Sequence, residues 1–403
     1  MKRRDFFQLT AGALLAGGAT TTRSPLHGQT PSAGAPASGT GRLKVDIYSR
    51  HLQWLRSANE VADAAIEMGF DGVNVTVRPY PGHVDPENVA KELPLFVNTL
   101  RGRGLLVRSI TTNIADADPM AERIVGAASA LGITYYWWGT YRYDLSKPIY
   151  EQLDALKPRV AKIAALSEKY KMTAAYHTYS MPGTVGSVMW DLLSLLKEHD
   201  PRFVGFHYDT GHESHHINGL WEVNVRAAGA YIAALAVKDY APEQNLGLKG
   251  EGGPYTGPPG ALGGRGDAPP PGVTGRGGPG RGASDAQPGG PPGAAAGGRG
   301  ADAGGRGGRG RGGAETPGAT WAAGNSWRTR SVPLGMGLVN LPQLATALKD
   351  IHFAGPIEIQ AEYPNGGADN AQDSITLPRT QVLGAMKRDL LTLRRGFSAS
   401  GLL

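Results

Sequence analysis

The sequence predicts a single (β/α)8 barrel with a long disordered Gly/Pro/Arg-rich insertion after its seventh strand. Three observations predict it. Eight short apolar strand patterns alternate with helical patterns along the chain. Within the strands, polar and apolar residues take opposite faces. Of the 403 residues, about 290 remain once a leader and a low-complexity tract are set aside, a length that suits one barrel. A doubly wound open sheet is the competing architecture, since it also alternates strands with helices.

The chain opens with MKRRDFFQLTAGALLAGGA. Arg3-Arg4 precede Asp5-Phe6-Phe7 and a weakly apolar run from Leu9 to Ala19, eleven residues with three glycines. That run is too short for a helix across a bilayer. The pattern is that of a twin-arginine (Tat) export signal. Residues 1–42 are therefore expected to be a signal peptide and flexible linker. The mature protein is expected to be periplasmic or secreted, with no stable membrane span.

The strands are read at Leu43–Ser49, Gly72–Arg78, Leu105–Asn113, Thr134–Tyr141, Met172–Thr178, Val204–Gly211, Ile232–Asp239 and Pro356–Tyr363. Each is a short β-branched or aromatic run bounded by polar or glycine punctuation. Helical periodicity falls between them at Asn59–Met68, Val89–Arg101, Pro119–Leu131, Ile149–Tyr170, Ser187–Glu198 and Leu341–Asp350, and a long helix, Asp373–Arg395, closes the chain. Strand parity supports a closed barrel. In strand two, Val73, Val75 and Val77 oppose Asn74, Thr76 and Arg78; in strand eight, Ile357, Ile359 and Ala361 oppose Glu358, Gln360 and Glu362. The outer face of a barrel strand packs on helices and must be apolar, so the polar set points inward.

The expected barrel spans residues 43–250 and 321–403. Between Glu251 and Thr320 lie 27 of the chain's 59 glycines and 11 of its 29 prolines. Apolar residues there are too sparse to offset the entropy of ordering, so 251–320 is predicted to be disordered. Its Arg-Gly pairs resemble RNA-binding tracts, but Tyr255 is the single aromatic among them. The formal net charge of +6 sits in the leader, the linker and this tract, which leaves the barrel neutral and without an electrostatic case for nucleic acid. The absence of cysteine excludes disulfides, thiolate zinc sites and cysteine nucleophiles.

Active sites of this fold lie at the C-terminal ends of the strands. That rule names Arg78 and the following His83, Thr112-Asn113, Trp138-Gly139-Thr140-Tyr141, Tyr176-His177-Thr178-Tyr179, His207 through His212, Lys238-Asp239, and Gln360-Ala361-Glu362-Tyr363. By parity His177, Asp209, Lys238, Gln360 and Glu362 converge in one cup. Singly, each has a plain structural reading: a hydrogen-bonded histidine, a cap at Asp209, a surface ion pair at Lys238-Asp239. Their arrival on separate strands at one level is what favours a site. Imidazole and carboxylate around one point suit Mn, Co, Zn or Mg. Such an ion polarises a carbonyl while a neighbouring carboxylate, histidine or lysine moves a proton on carbon. In the run His212-Glu213-Ser214-His215-His216, His212 is assigned to the site and His215 and His216 to a loop surface. Trp137, Trp138, Tyr141 and Tyr143 are placed to stack on sugar faces or to serve as rim and core.

Ala175-Tyr176-His177, Tyr208-Asp209-Thr210-Gly211-His212, Val237-Lys238-Asp239 and Pro333-Leu334-Gly335-Met336-Gly337 occur in an order and spacing that resemble the sugar phosphate isomerase/epimerase family, the xylose isomerase-like TIM barrels. Thr76-Val77-Arg78-Pro79, Gly82-His83-Val84 and Gly355-Pro356 with Glu362-Tyr363 add to the likeness, which covers residues 43–250 and 327–397 and is nearest to exported members. The group includes ketose 3-epimerases, inosose dehydratase and endonuclease-IV-like barrels. The resemblance implies a divalent ion on four ligands from strands five to eight. Carried over, these fall on His177, Asp209, Ala236 and Gln360, with Glu362 one pitch beyond, and the acid of the family's Gly-x-Gly loop falls on Met336. Two ligands match, one is lost and one is altered.

The resulting expectations are metal ligands at His177, Asp209 and Gln360, with Glu362, His83 or His212 as further donors. Glu362, Lys238 and His212 are expected as acid/base groups, and Arg78, His83, Asn113, Trp138 and Tyr179 at the substrate. The expected activity is isomerisation or epimerisation of a non-phosphorylated sugar or keto-sugar, because an exported enzyme would seldom meet sugar phosphates. A lyase or dehydratase acting on a keto-glycoside or inosose shares the same first step, and a degenerate carbohydrate-binding barrel is the non-catalytic alternative. The partner is a small carbohydrate; a homo-oligomer is left open.

Overall fold

The computed structural model describes residues 42–180, 183–217, 220–245, 326–362 and 372–403. The leader, the linker and the low-complexity tract lie outside the described residues, as do the expected strand and site position at Tyr363. Among the described residues, eight parallel strands close into a barrel. In chain order these are β1 (Val45–Tyr48), β2 (Gly72–Thr76), β3 (Ser109–Ile114), β4 (Tyr135–Trp138), β5 (Thr173–His177), β6 (Val204–Asp209), β7 (Ile232–Val237) and, after the two-stranded ribbon described below, β10 (Ile357–Ile359). The barrel closes in the order β1-β10-β7-β6-β5-β4-β3-β2. Each predicted strand has its counterpart, most of them shorter at the ends; β3 starts four residues later and ends one residue later than expected.

Helices α1 (Ala58–Met68), α2 (Val89–Gly102), α3 (Pro119–Ala130), α4 (Ile149–Tyr170), α5 (Trp190–Leu196), α6 (Thr210–Ile217), α7 (Trp221–Ala228), α8 (Leu341–Asp350) and α9 (Arg379–Ser398) follow the strands. Their starts are written locally. Ser57 and Glu60 form a reciprocal capping box at α1, Asp118 accepts the Ala121 N–H at 2.7 Å before Pro119, and Asn340 accepts the Gln343 N–H at 3.1 Å before α8. Gly69 ends α1 at φ +88°, a conformation glycine adopts without strain. The valines of β2 and the isoleucines of β10 are fully buried under these helices, which is the outer-face packing their parity predicted.

Helix α7 was not predicted, and the closing helix runs over Arg379–Ser398 instead of Asp373–Arg395. Two further differences bear on the site. The end of strand six turns directly into α6, with the Asp209 carboxylate accepting the His212 N–H at 3.0 Å. And strand seven stops at Val237: Asp239 instead opens β8 (Asp239–Asn245), which pairs antiparallel with β9 (Ser326–Val332) in a separate ribbon running from Asp239↔Val332 to Asn245↔Ser326. Asp239 then faces the Gly335-Met336-Gly337 segment. Its carboxylate accepts the N–H groups of Gly335 (3.0 Å), Gly337 (2.9 Å) and Val339 (3.0 Å), which fixes that loop beside the barrel mouth.

Candidate active site at the barrel mouth

Ladder register sets the depth of each inward side chain. His177 pairs with His207, Asp209 with Ala236, and Ala236 with Glu358. These residues line the interior, with Lys238 and Gln360 one step nearer the mouth and Glu362 one step beyond them. From the opposite side, the end of β1 and the 3-10 turn Ser49–Leu52 bring Tyr48, Arg50 and His51 to the same cup.

The centre of the cup is the Lys238 ammonium. Nζ lies 3.0 Å from Asp209 Oδ2, 3.0 Å from His212 Nε2, 3.1 Å from Glu362 Oε1 and donates to Gln360 Oε1 at 3.3 Å. Lys238 is only 5 % exposed, and Asp209 is fully buried. Burial alone would depress the lysine's pKa; the charges of Asp209 and Glu362 outweigh it and hold Lys238 well above the ordinary lysine value. It is therefore a cation and not a free amine at neutral pH. Glu362 also accepts the Tyr240 hydroxyl at 3.1 Å, and burial together with the Glu362 charge raises the Tyr240 pKa. His212 is oriented from its other side by Ser180 Oγ, 2.7 Å from Nδ1.

Beneath this lies a second polar layer. His177 Nε2 approaches Asp209 Oδ2 at 3.3 Å, and its Nδ1 meets His207 Nδ1 at 3.4 Å. His207 Nε2 in turn faces Glu358 Oε1 at 3.6 Å. Glu358 accepts from Gln360 Nε2 at 2.9 Å and from Asn74 Nδ2. Burial drives both members of the His207–Glu358 pair toward neutrality, lowering the histidine well below its usual value and raising the acid to about 8. One wall is aromatic. Trp137 stacks on His177 with ring centroids 4.0 Å apart, Tyr179 stands edge-on to the same imidazole at 4.6 Å, and Arg78 lies over the Trp137 ring at 5.1 Å.

The structure brings His177, Asp209, His212, Lys238, Gln360, Glu362 and Tyr179 together, with Arg78 behind Trp137. Three expected substrate residues lie elsewhere. Trp138 is fully buried on the outer face of β4, edge-on to Tyr141 at 5.6 Å and Tyr176 at 5.1 Å; its neighbour Trp137 is the indole in the cup. His83 hydrogen-bonds the Leu55 carbonyl at 2.9 Å and packs on Phe96, and burial lowers its pKa to about 4. Neither His83 nor Asn113 lines the cup, and Asn113 is half-buried where the β3–β4 register breaks between Thr111 and Ile114. Sequence reasoning did not single out Tyr48, Arg50, His51, Tyr240 or Glu358; it named His207 at the end of strand six without a role. For Glu358 the inward parity of strand eight was the available signal.

A model of the xylose isomerase-like TIM barrel family matches residues 62–262. Over that stretch the chain is similar to this family. Its solved relatives in shape include D-psicose 3-epimerase from Clostridium cellulolyticum H10, solved with D-tagatose, at TM-score 0.52 and 10 % identity over 88 % of this chain and 99 % of that one. A second D-psicose 3-epimerase structure, determined in the presence of D-fructose, gives TM-score 0.50 and 11 % identity over 88 % and 99 %. At such identity the likeness is one of fold. No curated protein matches the sequence.

The resemblance to this family implies a divalent ion, and the donors test it. His177, Asp209 and His212 offer one ligand atom each, all within 4.8 Å of one another. By element type that trio suits a metal. Its space does not. Asp209 Oδ2 and His212 Nε2 are 4.0 Å apart, and Nζ of Lys238 is 3.0 Å from each. An ion at about 2.1 Å from both donors would lie within about 3 Å of the ammonium. Ala236 offers a methyl group where the family resemblance places a histidine, and Gln360 is a neutral amide where it places a glutamate. As arranged, these residues do not fit a divalent ion.

Proposed function

We propose that this chain is an isomerase or epimerase of a non-phosphorylated sugar or keto-sugar, acting by proton transfer at a carbon next to a carbonyl. The observation that carries the reading is the convergence of Glu362, His212 and Asp209 on one buried cation beneath an aromatic wall. Deprotonation next to a carbonyl needs a base near the carbon and positive charge near the oxygen. Glu362 is the natural base: its side chain is 21 % exposed, so it reaches the open cup, while Lys238 and Tyr240 hold its two oxygens in place. His212 contacts the same ammonium, so either group lies next to an oxygen that approaches Nζ. Trp137 and Tyr179 offer faces for the apolar side of a sugar ring, and Arg50 offers donors for its hydroxyls, with Arg78 holding Trp137 from behind.

The family match supports the class, and the two epimerases that share the fold suggest a ketose as the substrate type. The Arg3-Arg4 leader supports export and, with it, an unphosphorylated sugar. A carbohydrate-binding barrel without turnover is the alternative favoured by Ala236 and Gln360. Incubation with unphosphorylated ketoses in deuterium oxide tests the choice: deuterium appearing on carbon in the presence of the enzyme supports proton transfer, whereas sugar binding without exchange supports the binder.

A further inference from the structure

The strongest unclaimed feature of the cup is the company kept by Lys238. Four groups from three elements surround one nitrogen: Asp209 at the end of β6, His212 in α6, and Gln360 and Glu362 in the segment after β10. The orientation of the Gln360 amide is fixed from behind, since Nε2 donates to Glu358 at 2.9 Å and Oε1 is thereby turned to the lysine. Ala236, fully buried and paired with Asp209, keeps the space between Asp209 and Glu358 free of any larger side chain. Two carboxylates and one ammonium, all buried or nearly so, are stable together only as a unit.

We propose that the Lys238 ammonium is the resident cation of this site, standing where a divalent ion would otherwise sit between Asp209 and His212 and itself polarising the substrate carbonyl. The catalytic half of this claim rests on the isomerase/epimerase reading; the claim about occupancy does not. The three ammonium protons are taken by His212, Glu362 and Gln360, with Asp209 a charge contact at 3.0 Å; Gln360 is the longest of the hydrogen bonds, so an incoming carbonyl oxygen displaces Gln360 at least cost. The proton on the adjacent carbon passes to Glu362. The C–H electron pair becomes the new carbon–carbon double bond, and the carbonyl pair moves onto the oxygen hydrogen-bonded to Nζ. Glu362 then delivers the proton to the other carbon of that double bond, the carbonyl carbon, while the proton of the neighbouring hydroxyl passes to the oxygen held by Nζ; the carbonyl has moved by one carbon, as in ketose–aldose isomerisation, and every protein group is as it began.

The test uses the full chain and two readouts. Metal content is measured by mass spectrometry after incubation with manganese or zinc and dialysis, for the native protein, Lys238→Ala, Lys238→Met and Lys238→Ala combined with His177→Ala. The expected result is no retained ion in the native protein, about one per chain in either single variant, and none in the double variant. Melting temperatures with and without the metal repeat the test without dialysis: the ion raises the midpoint of the single variants and leaves the native midpoint unmoved. One tightly held ion in the native protein overturns the proposal. So does failure of both single variants to take up an ion, because the ammonium is then not what excludes it. On the catalytic side, native exchange of deuterium into ketoses is expected to withstand chelation and to fall roughly 100- to 1,000-fold in Lys238→Met. Loss of native exchange on chelation overturns the carbonyl-polarising role. No native exchange at all would instead sink the isomerase/epimerase reading, with the metal experiment still deciding occupancy.

Discussion

The two adjacent indoles of β4 are expected to separate sugar binding from stability. Trp137 faces the cup and Trp138 the helices. Replacing Trp138 by Leu removes edge contacts with Tyr141 and Tyr176, each worth about 0.5–1.5 kcal/mol, and leaves a partly filled cavity. Against this, the Trp138 N–H is buried with no hydrogen-bond partner among the described residues, so its removal returns part of the loss. The net cost comes to about 2–3 kcal/mol, close to 1 M in the urea midpoint at a slope of about 3 kcal/mol/M. Affinity for sugar should not change. Trp137→Leu removes the ring stacked at 4.0 Å on His177 and the platform presented to the ligand. A stacking contribution of about 1.5 kcal/mol predicts a roughly tenfold weaker dissociation constant. The assay is urea denaturation beside a ketose titration for each variant. If Trp138→Leu weakened binding while Trp137→Leu left it intact, the assignment of faces would be wrong.

Other substitutions probe separate parts of the account. Glu362→Gln keeps the size of a partly exposed side chain and should leave the melting temperature within a few degrees while lowering deuterium exchange at least about 100-fold; unaltered exchange would remove Glu362 from the mechanism. Asp239→Ala strips the acceptor from three backbone N–H groups and should cost about 2–3 kcal/mol, with hydrogen exchange quickened at Gly335, Gly337 and Val339 and elsewhere unaffected. Burial raises the Asp389 carboxyl from 3.8 to about 7. Between those values the unfolded chain is ionised and the folded chain protonated, so this group makes stability fall as pH rises, by up to about 1.4 kcal/mol per unit. Asp389→Asn retains an acceptor for the Leu334 N–H and should flatten that slope, read from denaturation midpoints at about pH 5 and about pH 7.

What the residues disclosed unaided follows from where the physics is local. Strands buried on both sides, bounded by glycine and polar turns, announce themselves, and so do helices such as Ile149–Tyr170 and Leu341–Asp350, whose bounds match the sequence reading. The ribbon of β8 and β9 was not legible, because its pairing joins Asp239 to Val332 across the whole low-complexity tract. Helix α6 was hidden by its composition: Thr210–Ile217 has almost no apolar period, and the signal that starts it is the Asp209 side chain, which also serves the cup. Inward parity brought His177, Asp209, Lys238, Gln360 and Glu362 to one point. Parity failed for Trp138 because Tyr135-Tyr136-Trp137-Trp138 is aromatic on both faces, so alternation could not choose between them. It failed for Asn113 at the register break of β3. Arg50 and His51 escaped because they lie past the end of β1, on a 3-10 turn that folds over the mouth.

The most direct measurement is solvent deuterium incorporation into an unphosphorylated ketose by the native chain, followed by proton NMR and repeated with Glu362→Gln. The signal of a carbon-bound proton beside the carbonyl is expected to disappear with the native enzyme and to persist with the variant. Sugar that binds in the cup but keeps all its carbon-bound protons in deuterium oxide would contradict proton transfer and leave a carbohydrate-binding barrel.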